Sequence, residues 1–335
     1  MNIILMHMSD GLISINIGVV FTVISLIMLV YSMKKMKENQ DEKKIPMMAV
    51  MAAFIFACQM INFTIPGTGS SGHIGGAILL CMILGYFPAF ISLSCVLIIQ
   101  CLLFGDGGLL ALGCNIFNMG VIPCFIVYPL IIKPILKKNY NPITIALTSI
   151  LGVVVALELG AFSVVLQTVC SKVTQLPFHQ FVLLMLPIHF AIGLVEGVIT
   201  SLICLYVYRD NHQILTQALN NQYTSSPVKK IMTVFIALAL LVGGGLSLYA
   251  SGQPDGLEWS ILNITGKEDI DNSNQTKDQI KQIQNQITIL PDYSFKNKDS
   301  LSGTTVSGIF GVAATCMLGG LVGYVVLKKK NEKNH

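Results

Sequence analysis

Apolar runs of roughly 20 residues with few or no charges recur along most of this chain, and they limit its fold more than any other feature. A helix needs about that length to cross the hydrocarbon core, where each backbone N–H and C=O must be satisfied without water. Only 11% of the residues are charged, against about 25% in soluble domains, so water is not the solvent for most of the molecule. The expected fold class is all-α, a polytopic integral membrane protein of about nine transmembrane helices. The expected spans are 13–33, 46–65, 74–87, 88–104, 114–132, 143–170, 181–208, 231–250 and 305–327. The break at 85–88 leaves the third span short, which keeps a re-entrant hairpin open.

Charge orients the bundle. If the N-terminus lies outside, 15 of the 21 lysines and arginines fall in inner segments. Of the remaining six, only Lys172 sits in a short loop, where the positive-inside rule has force. The first span has no basic stretch ahead of it and a lysine cluster after it, so it reads as a retained helix and not a cleaved signal. From 251 to 300 the composition turns polar, before a last apolar helix and a basic tail. The expected organisation is a seven-helix body, 6–222, followed by a two-helix appendage, 223–335, whose helices flank an outer loop at 251–304. The junction falls near 223–227. All nine cysteines lie in apolar stretches without CxxC spacing and read as small buried hydrophobes.

The expected topology puts His7 and His73 on one outer face, and neutral imidazole suits late first-row metals. Taken singly, each reads as a surface histidine; together they form a capture site. His73 lies in PGTGSSGHIGG, 66–76, whose five glycines permit close backbone approach and conformations closed to other residues. The loop matches G-x-G-x-x-G literally, but it joins two membrane spans rather than a strand and helix of a βαβ unit, so a dinucleotide site is rejected. No phosphate-binding P-loop and no zinc-protease motif occurs, so neither ATP hydrolysis nor proteolysis is expected from this chain. Nothing points to nucleic acid. Glu158, His189 and Glu196 lie within spans, where ionisable groups are costly and face protein or water. His189 and Glu196 share a helix face, either as structural glue or on a metal path. Asp106, in a Gly-Asp-Gly-Gly turn followed by Asn115 and Asn118, could attract cations or cap the next helix.

Four motifs, in order, carry a resemblance: MHMSDGLIS (6–14), NFTIPGTGSSGHIGG (62–76), LLFGDGGLLALGCNIFNMG (102–120) and HFAIGLVEG (189–197). They resemble the CbiM/NikM substrate-binding components of energy-coupling factor transporters. PDGLEWSI (254–261) resembles the signature of the small CbiN/NikN subunit, here fused after the permease. The resemblance implies a nearly planar nitrogen set around Ni²⁺ or Co²⁺, carried as cargo and not as a prosthetic group. The nitrogens are the free amine of Met6, the amide and imidazole of His7, and the imidazole of His73. An amide nitrogen binds only after losing its proton, and a square-planar nitrogen site suits Ni²⁺ or Cu²⁺ best. The amine requires that translation begin at Met6 or that residues 1–5 be removed.

The same resemblance implies partners, namely a transmembrane coupling protein and two ATPases in a lipid membrane. With the charge distribution, the expectation is a bacterial plasma-membrane protein with the N-terminus outside and the C-terminus in the cytoplasm. The expectation is an ATP-driven uptake subunit for nickel or cobalt that is not itself an enzyme. The other readings are a secondary transporter driven by an ion gradient, which would favour paired repeats and a proton relay, and an intramembrane enzyme, which the missing motifs disfavour.

Overall fold

The computed structural model describes residues 7–39, 44–220, 228–268, 270, 274–295 and 301–328. The apolar runs wind into helices because a helix satisfies its own backbone in lipid. α1 (Ile15–Asn39), α7 (Pro142–Ser171), α8 (Phe178–Asn220) and α12 (Leu301–Lys328) are each long enough to cross unaided. So are α4 (Tyr86–Ile99) with the wider turn that continues it to Phe104, and the continuous segment Leu112–Lys138. That segment comprises α5 (Leu112–Ile116), a wide i→i+5 stretch (Phe117–Ile132) and α6 (Lys133–Lys138). Pro123 and Pro129 lie in the wide stretch, where each lacks an N–H and crowds the preceding turn, so the ladder slips rather than breaks.

The protein is polytopic and helical, but length alone does not support nine full crossings. α2 (Lys44–Gln59) and α9 (Lys229–Gly244) have 16 residues each, about 24 Å of helix against a core of about 30 Å. α3 (Ala77–Leu84) has eight, about 12 Å, and cannot cross. All eight α3 residues are buried, as expected of a helix apolar on every side. It descends partway, and Gly85 turns the chain into α4. The expected second span also ends early, because 63–65 is not helical. Phe63–Ile65 (β1) pairs antiparallel with Ser70–Gly72 (β2), Phe63 opposite Gly72.

The core fills the space among α2, α3, α4 and the wide stretch, with Phe56, Phe90 and Tyr128 among its largest enclosed side chains. The outer faces are apolar too: Val19, Val23, Ile27 and Val30 of α1 and Leu183, Leu194 and Leu202 of α8 are exposed, as lipid-facing residues should be. α12 packs on α2 and α9 through small residues. A Cβ on Gly308 would lie 1.8 Å from the Gly243 carbonyl oxygen, so only glycine allows these two helices to touch backbone to backbone. The predicted junction at 223–227 lies outside the described residues. Seven cysteines are buried; Cys316 is half-buried and Cys170 is exposed, because it faces outward from the last turn of α7.

The polar segment between α9 and α12 is not bare loop. It holds α10 (Gly256–Thr265), α11 (Gln275–Ile287) and a short turn at Pro291–Tyr293. It lies across one end of the bundle, where Leu103 carbonyl oxygen accepts the amides of Ile289 and Leu290. Residues 7–14, the β1–β2 hairpin and the 105–111 turn gather at that same end.

Candidate metal centre

His7 stands just ahead of α1 on a backbone held from several sides. The Asn115 side chain clasps its neighbour Met8, accepting the Met8 amide at 3.1 Å and donating to the Met8 carbonyl at 3.2 Å. Gly108 N–H donates to that carbonyl at 3.1 Å, and Asp10 accepts the Ala111 amide at 2.9 Å. Gly107, at φ +81°, passes so close that a Cβ there would meet His7 Cβ at 2.8 Å. The Gly-Asp-Gly-Gly turn thus serves as the wall against which His7 is pressed.

His73 follows β2 directly. The hairpin reverses through Gly67 and Gly69, both at positive φ, and Gly75 and Gly76 then lead into α3. Their amides donate to the two carboxylate oxygens of Glu196, at 2.9 and 2.8 Å, while Gln59 Nε2 donates to the Gly75 carbonyl at 2.9 Å. Glu196 is 3% exposed. A carboxylate buried this deep is expensive unless its oxygens are satisfied, and here the hairpin supplies the donors. The result brings the His7 and His73 rings together with centroids 5.5 Å apart and planes inclined at 46°. An ion about 2.0–2.1 Å from a nitrogen of each ring would set the centroids roughly 4.5–6.5 Å apart for bond angles between square and linear.

Three acidic or polar groups from elsewhere complete the surroundings. Asp106 Oδ1 lies 3.0 Å from His7 Nδ1, and Asp106 Oδ2 accepts the Tyr293 hydroxyl at 2.6 Å. Asp255 caps α10, accepting the Glu258 amide at 2.8 Å in a reciprocal capping box. Burial draws the His7 imidazole toward its neutral form, but the Asp106 and Asp255 carboxylates together leave its pKa above the ordinary value. Burial pushes Asp255 up to about 7, and burial together with Asp255 pushes Glu258 up to about 10. A cavity of about 130 Å³ runs inward from the two histidines, with Asn115, Asp255, His189 and Glu196 on its walls. Among the described residues no three of His, Cys, Asp and Glu come close enough to hold an ion alone. Two imidazoles therefore need other donors to complete a shell.

The appended unit closes over this end. The Ser71 amide donates to the Pro254 carbonyl at 2.8 Å and its hydroxyl to the Gln253 carbonyl at 2.7 Å. Trp259 Nε1 donates to the Thr68 carbonyl at 2.9 Å, and the Ser251 amide to the Asn62 carbonyl at 2.7 Å. A Cβ on Gly256 would lie 2.9 Å from the His189 ring.

Of the residues singled out in the sequence, His7 and His73 meet, and Met6 lies outside the described residues. His189 and Glu196 do share the cavity, but they bond elsewhere, His189 to the Met185 carbonyl at 2.8 Å and Glu196 to the hairpin. Glu158 is not on the cavity wall. Asp106 caps no helix; it faces His7 and Tyr293. Sequence reading missed Asp255 as a neighbour of the site and Tyr293 altogether. Asp255 carries a local signal, because Asp-x-x-Glu ahead of an apolar stretch is a helix start; Tyr293 carries none.

Residues 7–214 match the family model described as CbiM, cobalt uptake substrate-specific transmembrane region, and residues 229–328 match the PDGLE domain. A protein of Archaeoglobus fulgidus named as a fused nickel transport protein is 28% identical over 94% of this chain and 97% of its own length. One of Lactiplantibacillus plantarum, also named as a fused nickel transport protein, is 31% identical over 76% of this chain and 78% of its own. A crystal structure of a truncated transition metal transporter superposes with a TM-score of 0.54 at 34% identity, covering 62% of this chain and all of that one.

Proposed function

The chain belongs to the CbiM cobalt-uptake family over residues 7–214 and carries a PDGLE domain over 229–328, and on that premise we infer that it is the substrate-binding membrane subunit of an ATP-driven uptake system for Ni²⁺ or Co²⁺. The observation that carries this reading is the pair of imidazoles, His7 and His73, 5.5 Å apart at the end of the bundle where the appended unit closes. The ion is cargo. Besides the two rings, the nitrogen set includes the Met6 amine and the His7 amide, donors that would supply what the side chains alone do not. Nitrogen donors suit late first-row metals over Mg²⁺ or Ca²⁺, which prefer oxygen.

Lysine placement supports the outward orientation of this end, because Lys34, Lys35, Lys37, Lys137 and Lys138 cluster at the other one. The 6–222 body then captures metal outside, and the 223–335 unit covers it. Energy comes from a coupling protein and two ATPases. Ni²⁺ titrated into the detergent-purified full chain tests the site. His7→Ala and His73→Ala are each expected to weaken binding at least 100-fold, and wild-type affinity in both would remove the site. Uptake by cells lacking the ATPase partners tests the energy source: loss of uptake supports it, while undiminished uptake would transfer the case to an ion-gradient mechanism.

A further inference from the structure

The cavity behind the capturing pair reaches well past it. Its wall follows α7 from Val153 to Val164, a run of about 16 Å, while His189 and Glu196 face it from α8, two turns apart. At about 130 Å³ it has room for several waters, each of which needs roughly 10–15 Å³ of such space. Among the described residues no lysine or arginine lies on its wall, and Glu196 brings a carboxylate to it. A cation is therefore the charge this space favours.

Two of the side-chain amides on that wall are already committed. Asn115 clasps Met8, and Asn118 is locked reciprocally with Gln167, both bonds 2.8 Å. His189 differs. Its Nδ1 meets the Met185 carbonyl at 2.8 Å, and a carbonyl only accepts, so Nδ1 carries the proton and Nε2 the lone pair. Nε2 makes no hydrogen bond among the described residues. Gly256 of the appended unit seats the edge of the ring, where a Cβ would lie 2.9 Å from Cε1. An imidazole with a fixed tautomer and a free nitrogen, on the wall of a space that holds water, is a ready donor to a late first-row cation. It does not join His7 and His73 on one ion, because among the described residues no three such groups stand close enough. We propose that His189 is a second, inner binding position for the cargo dication. Its Nε2 takes one place on an ion that keeps water in the others, so that metal leaving the His7 and His73 pair is received inside the bundle before release. The proposal rests on the reading of those two histidines as the capturing ligands. It adds a separate site, to which Glu196 lends charge and His189 a bond.

Calorimetric titration of Ni²⁺ into the full chain, beside uptake of Ni²⁺ by cells, is the test, with His189→Asn as the variant. Asparagine places an amide N–H where Nδ1 stood and offers nothing at Nε2. His189→Gln, whose amide oxygen reaches the Nε2 position as a poorer ligand, gives a second reading if the first variant folds badly. The wild type should take a weaker equivalent of Ni²⁺ after the tight one, and His189→Asn should lack it while its tight affinity is unchanged. Maximal uptake should fall about 10-fold or more with the half-saturating concentration unchanged, the split expected when capture survives and a later step is lost. A weaker equivalent that persists in His189→Asn, or undiminished uptake, would overturn the proposal. So would a loss of tight affinity as large as that of His73→Ala, which would make His189 part of the capturing site. The His7→Ala and His73→Ala variants separate the two levels. If both keep wild-type tight affinity, the capturing site fails; if they lose it while His189→Asn keeps the weaker equivalent, only the inner site fails.

Discussion

The hairpin that carries His73 is gripped from below and from above by opposite chemistry. Below, within the bundle, a single buried carboxylate, Glu196, accepts two backbone amides, and Gln59 takes the neighbouring carbonyl. Above, the appended unit spreads its hold over several neutral hydrogen bonds, to Asn62, Thr64, Thr68 and Ser71. Concentrated charge gives a rigid floor that fails when one residue is lost, whereas distributed neutral bonds give a roof that weakens by steps. A floor built from the transmembrane body and a roof built from an appendage also differ in what can change during transport. The roof's bonds to the hairpin can break without leaving a carboxylate unpaired.

Substitutions test this contrast, beginning with the floor. Glu196→Ala leaves two buried amides without acceptors, at about 1–3 kcal/mol each. We expect about 3–5 kcal/mol of destabilisation, visible as a large drop in the thermal midpoint of the detergent-purified protein, with Glu196→Gln losing less because one oxygen remains. A small drop in Glu196→Ala would make floor and roof alike. On the roof, Trp259→Phe removes one hydrogen bond and should cost about 1 kcal/mol. Hydrogen exchange should quicken at the amides of 68–71 and stay unchanged at Gly75 and Gly76; equal quickening at both sites would mean that floor and roof open together. Thr64→Val breaks the exposed bond to Ser251 and should shift the midpoint by less than about 0.5 kcal/mol, so a shift as large as that of Trp259→Phe would contradict stepwise weakening.

Much of this architecture was legible in the sequence because hydropathy is a local signal that accumulates over a span. The break at 85–88 announced the short α3 for the same reason, as the helix could not continue through Gly85. The hairpin was not legible. Phe-Thr-Ile reads as the tail of an apolar span, and three residues are too few to reveal a period of two. The pairing of His7 with His73 followed from resemblance and from sidedness, since charge placement led us to expect both at the same ends of their spans. Glu196 was noted as an ionisable residue in a span, but its partners lie 120 residues away and are backbone atoms, which have no letter in a sequence. Tyr293 had still less to mark it, because a tyrosine in a polar stretch gains meaning only when folding brings it to Asp106.

The chain contains one tryptophan, and its indole is tied to the Thr68 carbonyl in the turn ahead of His73. The ultraviolet emission specific to indole therefore originates at a single seam, where appendage meets hairpin. No label has to be introduced to watch that seam: a red shift or a change in quenching on adding cargo would be read from the unmodified molecule, in detergent or in vesicles, in real time.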